Sequence, residues 1–162
     1  MTAVAEADTR ELRRVLGAFP TGVTAVAVEL DGSPVGIAAS SFTSVSLEPP
    51  LVSVCVSTSS ATWPLLARSP RLGLSVLSED QEQICRQLAG PSADRFTGLG
   101  WRTSDDGALW LDAASAWFDC SIAQVVPAGD HVIVVLAVHE YADDPGVEPL
   151  VFHGSRYRRL NL

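Results

Sequence analysis

The chain has 162 residues, 47% of them hydrophobic, and carries 19 acidic against 11 basic residues for a formal net charge of −8. A chain this long fits one domain and buries roughly 70% of its unfolded surface, so its core needs no disulfide or structural metal. The acidic balance repels phosphate backbones and argues against nucleic acid as a partner.

Apolar runs such as Val132 to Val138 fall far short of the ~20 residues that a membrane helix needs. Glu6 and Asp8 interrupt the start, and no basic region precedes an apolar run. No secretory leader is therefore expected, and the expected location is the cytoplasm. Cys55, Cys85 and Cys120 are odd in number and widely spaced. They read as free, buried thiols and form neither a zinc pattern nor a disulfide framework.

Residues 1–9 read as a disordered tip and 10–162 as a single domain. Asp8 or Thr9 can cap a helix from Arg10 to Leu16, with Gly17 near its end. Val23 to Leu30 is rich in β-branched residues and reads as a strand. Asp31-Gly32 tolerates positive φ at both positions, which predicts a tight hairpin into a second strand at Val35 to Ala39. Leu51 to Val56 is apolar on both sides and reads as a central strand.

A short helix is expected over Thr62 to Arg68, then a strand over Arg71 to Leu77. Ser78 and Gln81 have capping-box spacing ahead of a helix Glu79 to Leu88, which Gly90-Pro91 ends. Residues 91–112 read as a loop holding short pieces of structure. Ala116 to Val126 and His131 to Tyr141 read as long strands around a turn at Pro127 to Asp130. Leu150 to His153 and Arg156 to Leu160 make two short final strands. Many strands with few helices predict a mainly β chain closed as an antiparallel barrel. Strands and helices do not alternate as in a Rossmann sheet, and no G-x-G-x-x-G is present.

Four segments carry possible chemistry. Phe19-Pro20-Thr21-Gly22-Val23-Thr24 stops a helix and starts a strand, and Gly22 would let backbone approach a flat ring. Ala38-Ala39-Ser40-Ser41-Phe42-Thr43-Ser44 is either a serine-rich loop or a small-residue cradle. Pro49 and Pro50 stiffen its return into the next strand. Ser57-Thr58-Ser59-Ser60-Ala61-Thr62-Trp63 can cap a helix or hold a phosphate at a helix N-terminus. Gly129-Asp130-His131 is a turn whose histidine could face a cofactor.

Trp63, Trp101, Trp110 and Trp117 read as packing residues. His139 and His153 read as structural or surface residues, and Asp105-Asp106 and Asp143-Asp144 as solvated turns. Spacing supports no carboxylate pair, no Ser/His/Asp triad and no metal site.

The order of these segments is more specific than any one of them. It runs from Phe19-Pro20-Thr21-Gly22-Val23-Thr24 through Ser40-Ser41-Phe42-Thr43-Ser44-Val45-Ser46-Leu47 and Pro49-Pro50-Leu51-Val52 to Trp63. It continues with Asp94-Arg95-Phe96, Gly129-Asp130-His131, Pro149-Leu150-Val151 and Tyr157. This order resembles the flavin reductase-like family, the small NAD(P)H:flavin oxidoreductases that serve two-component monooxygenases. The resemblance runs from about residue 10 to about residue 160.

It implies an FMN-binding split β-barrel, a homodimer, and FMN or FAD with NADH or NADPH as co-substrate. It also implies hydride transfer to flavin N5 without a catalytic side chain, and a monooxygenase that receives the reduced flavin. Thr21 and Val23 would line the flavin site, and Ala39, Ser40, Ser41 and Phe42 would embrace the ring and ribityl chain. Ser57, Ser60 and Thr62 would meet the phosphate, and His131 and Tyr157 would border the nicotinamide. Two other readings stay open: a non-catalytic flavin- or haem-binding carrier or sensor, and a partner-binding barrel with a decayed site.

Overall fold

The computed structural model describes residues 8–160, so positions 1–7 of the expected tip lie outside the described residues. Asp8 and Thr9 are not part of a tip. The Asp8 carboxylate accepts the Arg10 N–H at 2.9 Å and caps α1 (Thr9–Leu16). Glu11 in the first turn and Arg13 and Arg14 in the last complement the helix dipole.

The strands are β1 (Thr21–Gly22), β2 (Thr24–Leu30), β3 (Ser33–Ala39), β4 (Thr43–Leu47), β5 (Pro50–Ser57) and β6 (Leu72–Val76). They continue as β7 (Trp101–Thr103), β8 (Leu109–Leu111), β9 (Ala116–Ala128), β10 (His131–Asp143), β11 (Val151–His153) and β12 (Arg156–Arg158). Helices α2 (Trp63–Leu66) and α3 (Glu82–Leu88) flank them. Among the described residues, seven strands pair antiparallel in the order β3-β2-β6-β9-β10-β5-β4.

Strands from opposite ends of that order share one core. Val26 and Val28 of β2 pack in the same cluster as Val52, Val54 and Val56 of β5, with Leu72, Leu74, Val134 and Leu136 between them. The sheet therefore curls on itself into a mainly β barrel. The other face of β2 offers Ala25 and Ala27 to a second cluster with Leu77, Leu88, Phe96 and Leu109. Close approach there requires glycine at position 73, where a Cβ would collide with the Leu109 backbone. Asp31 and Gly32 both take positive φ, as the hairpin turn demands.

Several expectations need correction. β5 is next to the end of the sheet, with only β4 beyond it. Val52, Val54 and Val56 are buried, while Leu51, Ser53, Cys55 and Ser57 remain partly exposed. β4 itself is an edge strand that begins at Thr43, inside the segment read as a serine-rich loop, and runs beyond it to Leu47. Helix α3 starts three residues late because the box at Ser78 forms only in half. Gln81 Oε1 accepts the Ser78 N–H at 2.9 Å, but the Gln81 N–H goes to the Ser78 backbone carbonyl. β9 runs on through Pro127 and Ala128, since beyond Cys120 it has a neighbour only on its β10 side. No helix among the described residues is long and apolar enough to cross a membrane.

Candidate functional site

The end of β3 and the start of β10 meet across β5. Register pairs His131 with Ser57, and Ala38, Ala39 and Ser40 lie opposite them. Together with Ser41, Cys55 and Ser60 these residues line an open groove of about 360 Å³. A recess of about 150 Å³ continues from the same Ala38–Ser40 floor and is walled by Val23, Cys85, Phe152 and Tyr157. The small floor leaves a flat ring room against backbone. His131 and Tyr157 stand on opposite sides of that floor rather than side by side.

Hydrogen bonds fix the groove walls. Ser41 Oγ accepts the Cys55 N–H at 2.8 Å and donates to the Cys55 carbonyl at 3.2 Å. The hydroxyl thus extends the ladder that β4 begins at Thr43 and is committed to the protein. Among the described residues, no hydrogen bond outside the strand ladders takes the N–H groups of Ser40, Ser41 and Phe42, which lie between β3 and β4. Ser57 and Ser59 hydroxyls bond each other at 2.8 Å, and Thr58 ties the segment to the Asp130 carbonyl at 3.0 Å.

Helix α2 is a single turn, and the Trp63 N–H is already taken by Ser60 Oγ at 3.2 Å. The Trp63 and Leu65 N–H groups of the first turn are thus used internally. The buried Thr62 hydroxyl accepts from Arg95 Nη1 at 3.0 Å. Arg95 also donates to the Gly36 and Gly90 carbonyls and makes no salt bridge among the described residues. Gly90 is five positions away, but Thr62 and Gly36 lie 33 and 59 away, so the sequence marks Arg95 only within the Asp94-Arg95-Phe96 segment and does not show what it holds.

Three expected residues do not line the groove or the recess. Phe42 packs on Phe118 with ring centroids 5.6 Å apart. Thr62 turns inward to Arg95. Thr21 sits in β1 with its hydroxyl buried and without a partner among the described residues.

Asp130 Oδ1 and His131 Nδ1 are 2.7 Å apart, and this bond holds the Asp130 carboxyl below its ordinary range. Tyr157 Oη lies 3.1 Å from Cys85 Sγ, with the Arg86 guanidinium 4.8 Å over its ring. Burial pushes the tyrosine up to about 12 and raises the Cys85 thiol, so both stay protonated at neutral pH. No three His, Cys, Asp or Glu side chains cluster as a metal site among the described residues.

The flavin reductase-like domain model matches residues 16–161, nearly all of the described chain. The chain belongs to the flavin reductase-like family. A flavin reductase of Pseudomonas putida is 41% identical over 151 residues, which is 93% of this chain and 89% of that protein. The reductase subunit HsaB of a flavin-dependent monooxygenase from Mycobacterium tuberculosis is 37% identical over 155 residues, 94% and 83% of the two chains. Among solved structures, the NADH:FAD oxidoreductase SgcE6 of Streptomyces globisporus, in complex with NAD and FAD fragments, superposes with a TM-score of 0.91. That match has 38% identity and covers 99% of this chain and 98% of the other. The curled antiparallel sheet is thus the split barrel of this family, and the chain is a flavin reductase.

Proposed function

We propose that this flavin reductase takes FAD into the groove on the Ala38–Ser40 floor, reduces it with NADH and releases it to a separate monooxygenase. FAD and NADH are the pair named for the Streptomyces globisporus relative, and service to a monooxygenase is named for the mycobacterial one. The observation that carries the reading is the small-residue floor beside the Ser40–Phe42 backbone, with a cation nearby, Arg95, that makes no salt bridge among the described residues.

The residues fit a flavin. Ala39, Ser40 and Ser41 would contact the ring through backbone, and Phe42 would brace that link from the core. Val23 would sit at the rim, and Thr21, whose hydroxyl is buried, would support it from β1. Ser57 and Ser60 hydroxyls, with the Thr62–Arg95 pair behind them, would meet phosphate as charge-assisted donors. His131, oriented by Asp130, would bond the nicotinamide carboxamide. Tyr157, fixed by Cys85, Arg86 and Phe152, would shape the far side. The flavin would supply a hydride acceptor at N5, and these residues would only align the two rings and exclude water.

We also propose a homodimer built from one domain per chain. Phe19 is 75% and Leu47 84% exposed, and Leu16 and Val45, near them in sequence, are exposed as well, apolar surface that a second copy would cover. Sedimentation velocity tests this: a monomer at micromolar concentration would contradict it.

His131→Ala tests the binding roles. We expect KM for NADH to rise about tenfold while FAD affinity stays within about twofold. Equal losses in both would remove His131 from the nicotinamide position.

A further inference from the structure

A second pocket lies far from the flavin groove. Trp110 of β8, Trp117 and Asp119 of β9, and Glu140 and Tyr141 of β10 surround about 180 Å³ beside Arg102 of β7. Tyr141 is ten residues along β10 from His131, a span of about 30 Å, and the two sites share no residue.

We propose that this pocket binds a small aromatic carboxylate. Its walls are rigid indole faces. Trp110 Nε1 donates to the Phe118 carbonyl and Trp117 Nε1 to the Leu111 carbonyl, each at 2.8 Å. Both polar edges are thus used internally, and the π surfaces remain. Arg102 is held by stacking, with its guanidinium 4.7 Å from the Trp117 ring and 5.9 Å from the Trp110 ring. That guanidinium forms an ion pair with Asp112 at 3.8 Å but makes no hydrogen bond among the described residues, and its side chain is half exposed.

A stacked guanidinium keeps its in-plane donors free, the fork geometry that receives a carboxylate bidentately. Size sets what the pocket can seat. A cavity of about 150 Å³ lined by apolar groups holds one benzene ring, so this pocket of about 180 Å³ has room for a single ring beside its carboxylate. Three acids lie close without opposing this. Asp112 pairs with Arg102 only at 3.8 Å, without a hydrogen bond, and is itself exposed, so an incoming carboxylate can take the in-plane donors. Asp119 is paired with Arg71 at 3.3 Å, and Glu140 is exposed at the rim, where water screens it.

Isothermal titration of the full chain saturated with FAD, using benzoate, tests the site. Benzoate is expected to bind with a Kd of about 1 mM or tighter. Arg102→Ala should weaken it at least about tenfold, and so should Arg102→Lys, which keeps the charge but loses the planar fork. Flavin reduction by both variants should be unchanged. The proposal fails if benzoate does not bind, or if it binds only without FAD, which would place it in the flavin groove. It also fails if both variants bind as the parent does, or if benzylammonium binds better than benzoate, which would give the pocket to the acids.

Discussion

Ser41→Ala probes the wall of the flavin groove most sharply. The Ser41 hydroxyl makes two bonds, at 2.8 and 3.2 Å, to the backbone of Cys55. Alanine removes both and leaves the Cys55 N–H and carbonyl without their β4-side partner. Two neutral hydrogen bonds at about 1 kcal/mol each give a loss of about 2 kcal/mol. For a chain of this size that is roughly a 4–8 °C fall in Tm. The link carrying the Ser40–Phe42 amides loses its anchor at the same time, so FAD affinity should fall about tenfold. Thermal unfolding by circular dichroism and FAD fluorescence quenching read the two effects. Ser41→Thr, which keeps the hydroxyl, should restore most of both. An unchanged Tm together with unchanged FAD affinity would refute the anchoring argument.

Other outcomes follow from the same structure. Arg95→Met should weaken FAD and FMN about tenfold while leaving riboflavin affinity unchanged, because only the phosphate esters use the charge; equal loss for all three would make Arg95 purely structural. Gly73→Ala should abolish soluble expression or unfold the chain, since its Cβ collides with the Leu109 backbone; a variant that melts within about 2 °C of the parent would contradict that packing. Maleimide labelling followed by mass spectrometry should find Cys55, at the groove, modified first and protected by FAD. Buried Cys120, pushed up to about 12 chiefly by desolvation, should stay unmodified until unfolding. Cys120 and Tyr157 have folded-state values raised above their ordinary ones of 9.0 and 10.0, so their stabilising contribution is complete below about 9 and is lost as pH rises through about 12. Urea midpoints should fall steadily over that window, and a flat profile would count against the burial of these groups.

Much of the barrel was legible in the sequence because its cues are local. β-branched runs mark β2, β5 and β10, and Asp31-Gly32 names its own turn. The groove floor was legible as well, since Ala38, Ala39 and Ser40 announce space and Gly129-Asp130-His131 announces an exposed histidine at a strand start. Long-range pairing hid the rest. β4 looks like a loop because an edge strand of serines with Val45 and Leu47 facing out shows no core pattern. The Ser41 hydroxyl looked available to a ligand, but the register of β5 gives it to Cys55. Arg95 became meaningful only when the fold brought Thr62, Gly36 and Gly90 around it. Trp110 and Trp117 do pack, as composition suggests, yet their faces also wall a pocket that no spacing along the chain reveals.

The central claim is that this chain turns over free flavin at the expense of NAD(P)H. Oxidation of NADH and of NADPH, followed at 340 nm with FAD, FMN or no flavin added, tests it directly. Turnover that requires added flavin, saturates with it, and is most efficient with NADH and FAD is the predicted result. A folded protein that binds flavin yet oxidises neither nucleotide would contradict the account and leave a carrier in its place.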